Sequence, residues 1–253
     1  MQDNLNSKYK SIVDFLQMSS EIYFNETGIK VKIEIVNDFS FNARVSKIEE
    51  KVYKIEIRHG CLCLENLIEN ITNRYTEDDL KSFWRFRKLN IFEKNAGDTY
   101  REELNQLFGS IILLHIFFHE CGHITAKYID KENGTYAEMQ PSDNGGYEKQ
   151  EQEMVADWLS TKFLYKSMFF ATIGTDKIDF EELLSILEQL TILYWLSLTI
   201  EFQIFDSVHT GDVPDYSLLT HPHPAVRLYY SLDAMQECIL DIFNIYGFDD
   251  MQA

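Results

Sequence analysis

The chain has 253 residues, of which 45% are apolar, 14% aromatic and 25% charged, enough to bury one sizeable core or two small ones and too apolar for disorder as the main state. Four prolines and eleven glycines exclude collagen-like, Pro-rich and Gly/Ser-linker architectures, and no repeat period is found. Twenty-three Lys and Arg against forty-one Asp and Glu leave a formal charge of -18, which opposes attraction to phosphate backbones or anionic lipid and argues against a nucleic-acid partner.

The N-terminal MQDNLNSKYK is polar with no apolar run behind it, so a secretory signal is not expected and the expected location is cytoplasmic. From Ser7 to about Asn25 the positions Tyr9, Ile12, Val13, Leu16, Ile22 and Tyr23 recur at helical spacing, and Gly28 stands where such a helix would stop. Ile29 to Val36 and Val52 to Arg58 then alternate apolar and charged residues, the period of half-buried strands. With Phe39 to Val45 as a candidate third strand, the expectation is a small N-terminal antiparallel sheet.

Beyond His59 and Gly60 the pattern is helical through Leu62, Leu64, Leu67, Ile68 and Ile71, and Tyr75 to Asn95 reads as helix plus loop. Tyr100 to Ile129 is expected to form one long helix, almost wholly apolar from Leu107 to Phe118, as an element crossing the core would be. Asp130 to Gly146 has turn-forming composition. Glu148 to Phe170 and Ile178 to Phe205 are again helical, His209 to Thr220 is a loop, and a last helix begins near Pro224. Leu107 to Phe118 and Leu190 to Phe205 each fall short of the roughly 18 to 20 apolar residues that span a bilayer, so no membrane span is expected. The fold class expected is α+β, mostly helical, as a single domain over 1–253 with a mixed part (1–98) and a helical part (99–253).

The long helix carries His119-Glu120-Cys121-Gly122-His123, the pattern H-E-x-x-H. Four helical residues advance about 6 Å and 400 degrees, so both imidazoles lie on one face and can chelate one Zn²⁺. Glu120 then stands where it can take a proton from an activated water without being a ligand. The string would arise by accident in roughly one such sequence in fifty, but two histidines and a glutamate within an apolar helix are each costly to bury without partners. A third ligand is offered by Glu153, because Asp157 lies one turn further on and can accept a hydrogen bond from a ligating imidazole. Glu148 and Glu151 are rival ligands, and an acidic helix start is the bland account of all three.

His115 precedes His119 by one turn, but it lies about 12 Å along the axis from His123, too far to share an ion, and is read as packing in the core or behind the ligands. Cys121 faces away from the ligands, which argues against a thiol nucleophile. Cys61, Cys63 and Cys238, like Cys121, are expected as reduced thiols, and a lone CxC is a weak metal signal.

At this point the chain resembles the gluzincin metallopeptidases, whose H-E-x-x-H helix is followed by a helix bearing E-x-x-x-D. Glu153-x-x-Ala156-Asp157 is similar to the E-x-x-A-D of the HtpX and CaaX-prenyl-protease family, and His221-Pro-His-Pro-Ala-Val-Arg227 has that family's H-P-x-x-x-x-R spacing. The resemblance implies that His221 and Arg227 approach the metal, His221 to stabilise an oxyanion and Arg227 to hold the local structure or the substrate; a plain helix start is the alternative reading. The family's transmembrane helices have no counterpart here, and the soluble phage-exclusion Lit peptidases, which cleave a host translation factor once a phage protein activates them, are the cytosolic comparison. The resemblance covers roughly Leu107 to Leu232, and it implies that a strand such as Tyr53 to Arg58 pairs with extended substrate.

These readings combine into an expected function: a zinc-dependent endopeptidase acting on a protein or peptide substrate. His119, His123 and Glu153 hold Zn²⁺, Glu120 moves the proton, His221 and Arg227 assist, and Asp157 orients His119. An activating or inhibiting partner and a part in antiviral defence are expectations from the Lit resemblance. The rival expectation is a zinc-binding regulatory or interaction protein of weak activity, which would close the metal with four protein ligands.

Overall fold

The computed structural model describes residues 10–73, 100–127, 135–137, 147–173, 178–209 and 221–247. The expected helix-plus-loop over Tyr75 to Asn95 lies outside these residues, as does the expected loop after His209. In chain order the elements are α1 (Lys10–Thr27), β1 (Lys30–Val36), β2 (Ala43–Glu49), β3 (Val52–Arg58), a 3₁₀ turn (His59–Leu62), α2 (Glu65–Thr72), α3 (Tyr100–Thr125), β4 (Thr135–Ala137), α4 (Tyr147–Ile173), α5 (Phe180–His209) and α6 (Pro224–Ile245). The architecture is α+β and mostly helical.

Helix α1 ends at Gly28, whose φ of +69° is the left-handed conformation that glycine adopts without a Cβ penalty. Its amide donates to the Phe24 carbonyl at 2.8 Å, closing the helix as β1 begins.

The sheet has the order β1-β3-β2-β4, with β1 parallel to β3 and β2 antiparallel to both β3 and β4. The antiparallel expectation is therefore corrected to a mixed sheet. Alternation of period two reports one buried face and says nothing of strand direction. Three further expectations shift. The second strand lies at Ala43–Glu49 rather than Phe39 to Val45, part of the expected 130–146 loop is the short strand β4, and β3 is interior rather than an edge open to substrate.

The two faces of the sheet follow the alternation. Val31, Val45, Tyr53, Ile55 and Ile57 are buried, while on the other face Lys54 bridges Glu34 and Glu56, with the Lys54–Glu34 contact at 3.1 Å, and Arg44 pairs with Glu56. Opposite charges on neighbouring strands support the register.

Helix α3 is the central element, buried along Leu104, Phe108, Ile112, Phe117 and Phe118, each such side chain contributing about 1.5–3 kcal/mol when fully buried. It packs against α1, α2, the sheet, α4 and α5, and Tyr23 of α1 caps its far side by bonding the Cys121 carbonyl at 3.2 Å and Thr125 at 2.8 Å. The expected helix end at Ile129 is reached earlier, at Thr125, and Lys127 adopts φ 60° just beyond it. By length and composition alone, Leu104–Thr125 and Phe180–Phe205 are long and apolar enough to cross a membrane, a test that a buried core helix passes as well. The first has 89% of its span buried inside the protein, as a core helix has, and the second 44%.

A candidate metal centre between two helices

Helices α3 and α4 approach closely because Gly122 faces Ala156. A Cβ on Gly122 would lie 2.8 Å from the Ala156 carbonyl oxygen and 2.9 Å from its Cα, so any side chain there would force the backbones apart. This small-residue contact brings the imidazoles of one helix to the carboxylates of the other.

His119 Nε2 and His123 Nε2 stand 3.1 Å apart, Glu153 Oε2 is 3.1 Å from His119 Nε2, and Glu153 Oε1 is 3.6 Å from His123 Nε2. Ligands bonded to a tetrahedral Zn²⁺ at about 2.0–2.1 Å would be separated by about 3.3 Å, so the spacing suits one small cation. All three residues are buried, and among the described residues they are the group of His, Cys, Asp or Glu side chains gathered closely enough to hold a metal ion. Cys61 and Cys63 form no such group: the Cys61 thiol donates to the Asn42 carbonyl.

The chemistry of the donors points the same way. His119 Nδ1 lies 2.8 Å from Asp157 Oδ1, which makes Nδ1 the protonated nitrogen and turns the Nε2 lone pair of the neutral ring toward Glu153 and His123. Two imidazole nitrogens and a carboxylate can converge in a buried space only around a cation or a proton. Without metal, His119 takes that proton: burial opposes its charge, but Asp157 and then Glu153 outweigh burial and raise its pKa well above the usual histidine range. His123 stays neutral, its pKa pushed down to about 3 by burial, with the His119 and His221 charges adding to the shift. Burial would raise Glu153, yet His221 and the hydrogen bond from His119 overcome it and hold its carboxyl well below the ordinary value.

Asp157 is shared. Arg227, from the first turns of α6, donates Nε to Oδ2 and Nη2 to Oδ1, both at 2.7 Å, a two-bond clamp on the carboxylate that orients His119. Burial would lift the Asp157 pKa, but Arg227 and His119 together depress it strongly. Arg227 is 3% exposed and rests against Phe202 and Phe205, its Cζ 4.7 and 5.3 Å from their ring centroids. Its guanidinium therefore faces Asp157, the buried Phe202 ring and the half-buried Phe205 ring.

His221 stands 3.3 Å from Glu153 Oε2, and its side chain is 19% exposed where those of His119 and Glu153 are 3% and 0%. Its ring lies over Phe205. Glu120 is completely buried. Pro224 opens α6 after His223, whose ring accepts the Ala225 amide, so a capped helix start and delivery of Arg227 to the site coexist. Cys121 is buried, and burial raises its thiol pKa well above the usual value, which keeps it protonated. The rival ligands Glu148 and Glu151 are exposed.

One pair escaped the sequence reading. His115 Nδ1 meets both oxygens of Glu201, at 3.0 and 2.9 Å, deep in the core between α3 and α5. The signal was present as two ionisable residues in apolar helices, each needing a partner, but nothing local names the partner. Comparison of the chain with known protein families, with characterised proteins and with solved structures yields no match.

Proposed function

We propose that this protein is a zinc-dependent endopeptidase of the gluzincin kind, hydrolysing peptide bonds of a protein substrate. The observation that carries the reading is the convergence of His119, His123 and Glu153 with Glu120 adjoining the first ligand on the same helix. A Zn²⁺ held there would supply a Lewis acid that polarises a scissile carbonyl and acidifies water. Glu120 accepts the proton of the attacking water and delivers it to the leaving amine.

His221, the most open of these side chains, donates toward the oxyanion. Asp157 keeps the His119 Nδ1 proton in place, and Arg227 acts through Asp157 as a positioning residue. The charge of -18 favours a protein over a nucleic-acid substrate.

The test pairs metal analysis with cleavage. Wild type is expected to bind one equivalent of zinc, and Glu153→Ala much less. In a cell lysate, new peptide termini found by mass spectrometry with wild type should vanish with Glu120→Gln, which keeps its metal. Cleavage retained by Glu120→Gln would sink the mechanism, and zinc without cleavage would favour a zinc-binding regulatory protein.

A further inference from the structure

The pair His115 and Glu201 plays no part in the proposed chemistry, yet it is the most deeply buried acid-imidazole contact away from the metal centre among the described residues, with side chains 0% and 2% exposed. Glu201 Oε1 lies at hydrogen-bond distance from His115 Nδ1, 3.0 Å, Oε2 stands 2.9 Å from the same nitrogen without a hydrogen bond of its own, and His115 Nε2 has no hydrogen-bond partner among the described residues. Among the described residues the hydrogen bond to this ring thus comes from α5. His115 lies one turn before His119, the ring centroids 6.4 Å apart.

Phe202, the next residue on α5, completes a circuit. Its ring meets His115 edge-on at 6.0 Å between centroids and carries the Arg227 guanidinium on its face at 4.7 Å. Arg227 clamps Asp157, and Asp157 holds His119, which returns to the helix that bears His115. Two consecutive residues of α5 therefore touch Arg227, at one end of the chain of contacts that orients His119, and His115, one helical turn before His119.

We propose that His115 and Glu201 are a positioning pair, holding α5 against α3 so that Phe202 backs Arg227 and the Asp157–His119 contact keeps its geometry. The proposal rests on the metal-centre reading and concerns how that centre is held in shape. An ion pair kept only for stability would be replaceable, since buried pairs exchanged for apolar residues of similar volume often leave stability unchanged or higher. One kept for geometry would show its loss at the metal, where removal of an outer-shell partner typically weakens binding about 10- to 100-fold.

Metal-free full-length protein would be titrated with Co²⁺, following its visible ligand-field absorption, in wild type, Glu201→Gln, Phe202→Leu and the double variant His115→Leu/Glu201→Leu, with thermal unfolding of each. Glu201→Gln retains an oxygen acceptor for Nδ1 and should bind within about threefold of wild type. The double variant, folded to a similar midpoint, should bind about tenfold or more weakly, with an altered spectrum. Phe202→Leu, which leaves the pair intact and removes the surface behind Arg227, should weaken binding in the same direction and serves if the double variant does not fold. Wild-type affinity and spectrum in the double variant, or in Phe202→Leu should the double variant not fold, would overturn the positioning role. Loss in Glu201→Gln as large as in the double variant would also overturn it, since charge and not geometry would then matter. Failure of wild type itself to bind Co²⁺ would remove the metal centre and the pair's purpose together.

Discussion

Arg227 grips both carboxylate oxygens of Asp157 across a separation of 70 residues, with two bonds of 2.7 Å, and by doing so fixes the partner of the first histidine of H-E-x-x-H. Helix α6 is thereby joined to the candidate metal centre through Asp157.

Removing that grip should be expensive. Arg227→Ala leaves Asp157 buried with a strong bias toward ionisation and its main counter-charge gone, and truncating one member of a buried pair typically loses about 3–5 kcal/mol. Urea unfolding of the metal-free protein should show a loss of that order; a loss under about 1 kcal/mol would mean that the clamp is no stronger than a surface pair.

The closest approach of the two ligand-bearing helices makes a separate prediction. Gly122→Ala places a methyl group within 3.2 Å of three Ala156 backbone atoms, none of which can rotate away. Overpacking of this kind typically costs about 1–3 kcal/mol, and here it also separates Glu153 from the imidazoles. The variant should melt lower and bind zinc more weakly, measured by thermal unfolding and by metal titration; unchanged binding would show that the helix contact does not set the ligand spacing.

The pH dependence of the metal-free protein has a definite sign. His123 has a pKa of about 3 in the fold and about 6.5 in an unfolded chain, so between these values the unfolded state binds the extra proton and stability rises with pH. The slope in this window approaches about 1.4 kcal/mol per pH unit for one proton. Asp157 and Glu153, both depressed, add to the same slope as pH falls below the ordinary carboxylate range. His119, which is raised, acts oppositely: its stabilisation is complete below the unfolded pKa and is lost as pH climbs through its folded value. Denaturation midpoints should therefore rise from pH 4.5 to 6, and His123→Asn should flatten that rise. An equally steep rise in His123→Asn would assign the effect to other groups.

Much of the candidate site was legible in the chain because its signals are local. The four-residue spacing of His119 and His123, and of Glu153 and Asp157, puts each pair on one helix face whatever the rest of the protein does. Likewise β3 is found over Val52–Arg58, as its alternation predicts, and α6 begins at Pro224, where proline favours a helix start. Strand order was not legible, since Val31 pairs in parallel with Tyr53 while the alternation of either strand would serve an antiparallel partner equally well. A strand of three residues such as β4 has too few positions to show a period at all.

By itself, then, the sequence determined which residues share a helix face and which faces are apolar, because helix and strand geometry convert spacing directly into direction. Only the tertiary structure decided which faces meet. It set Gly122 on Ala156, Asp157 between His119 and Arg227, and Glu201 on His115, contacts that join segments 34 to 86 residues apart. Such pairings follow from how whole helices pack and how buried charges find one another, and no periodicity along the chain encodes them.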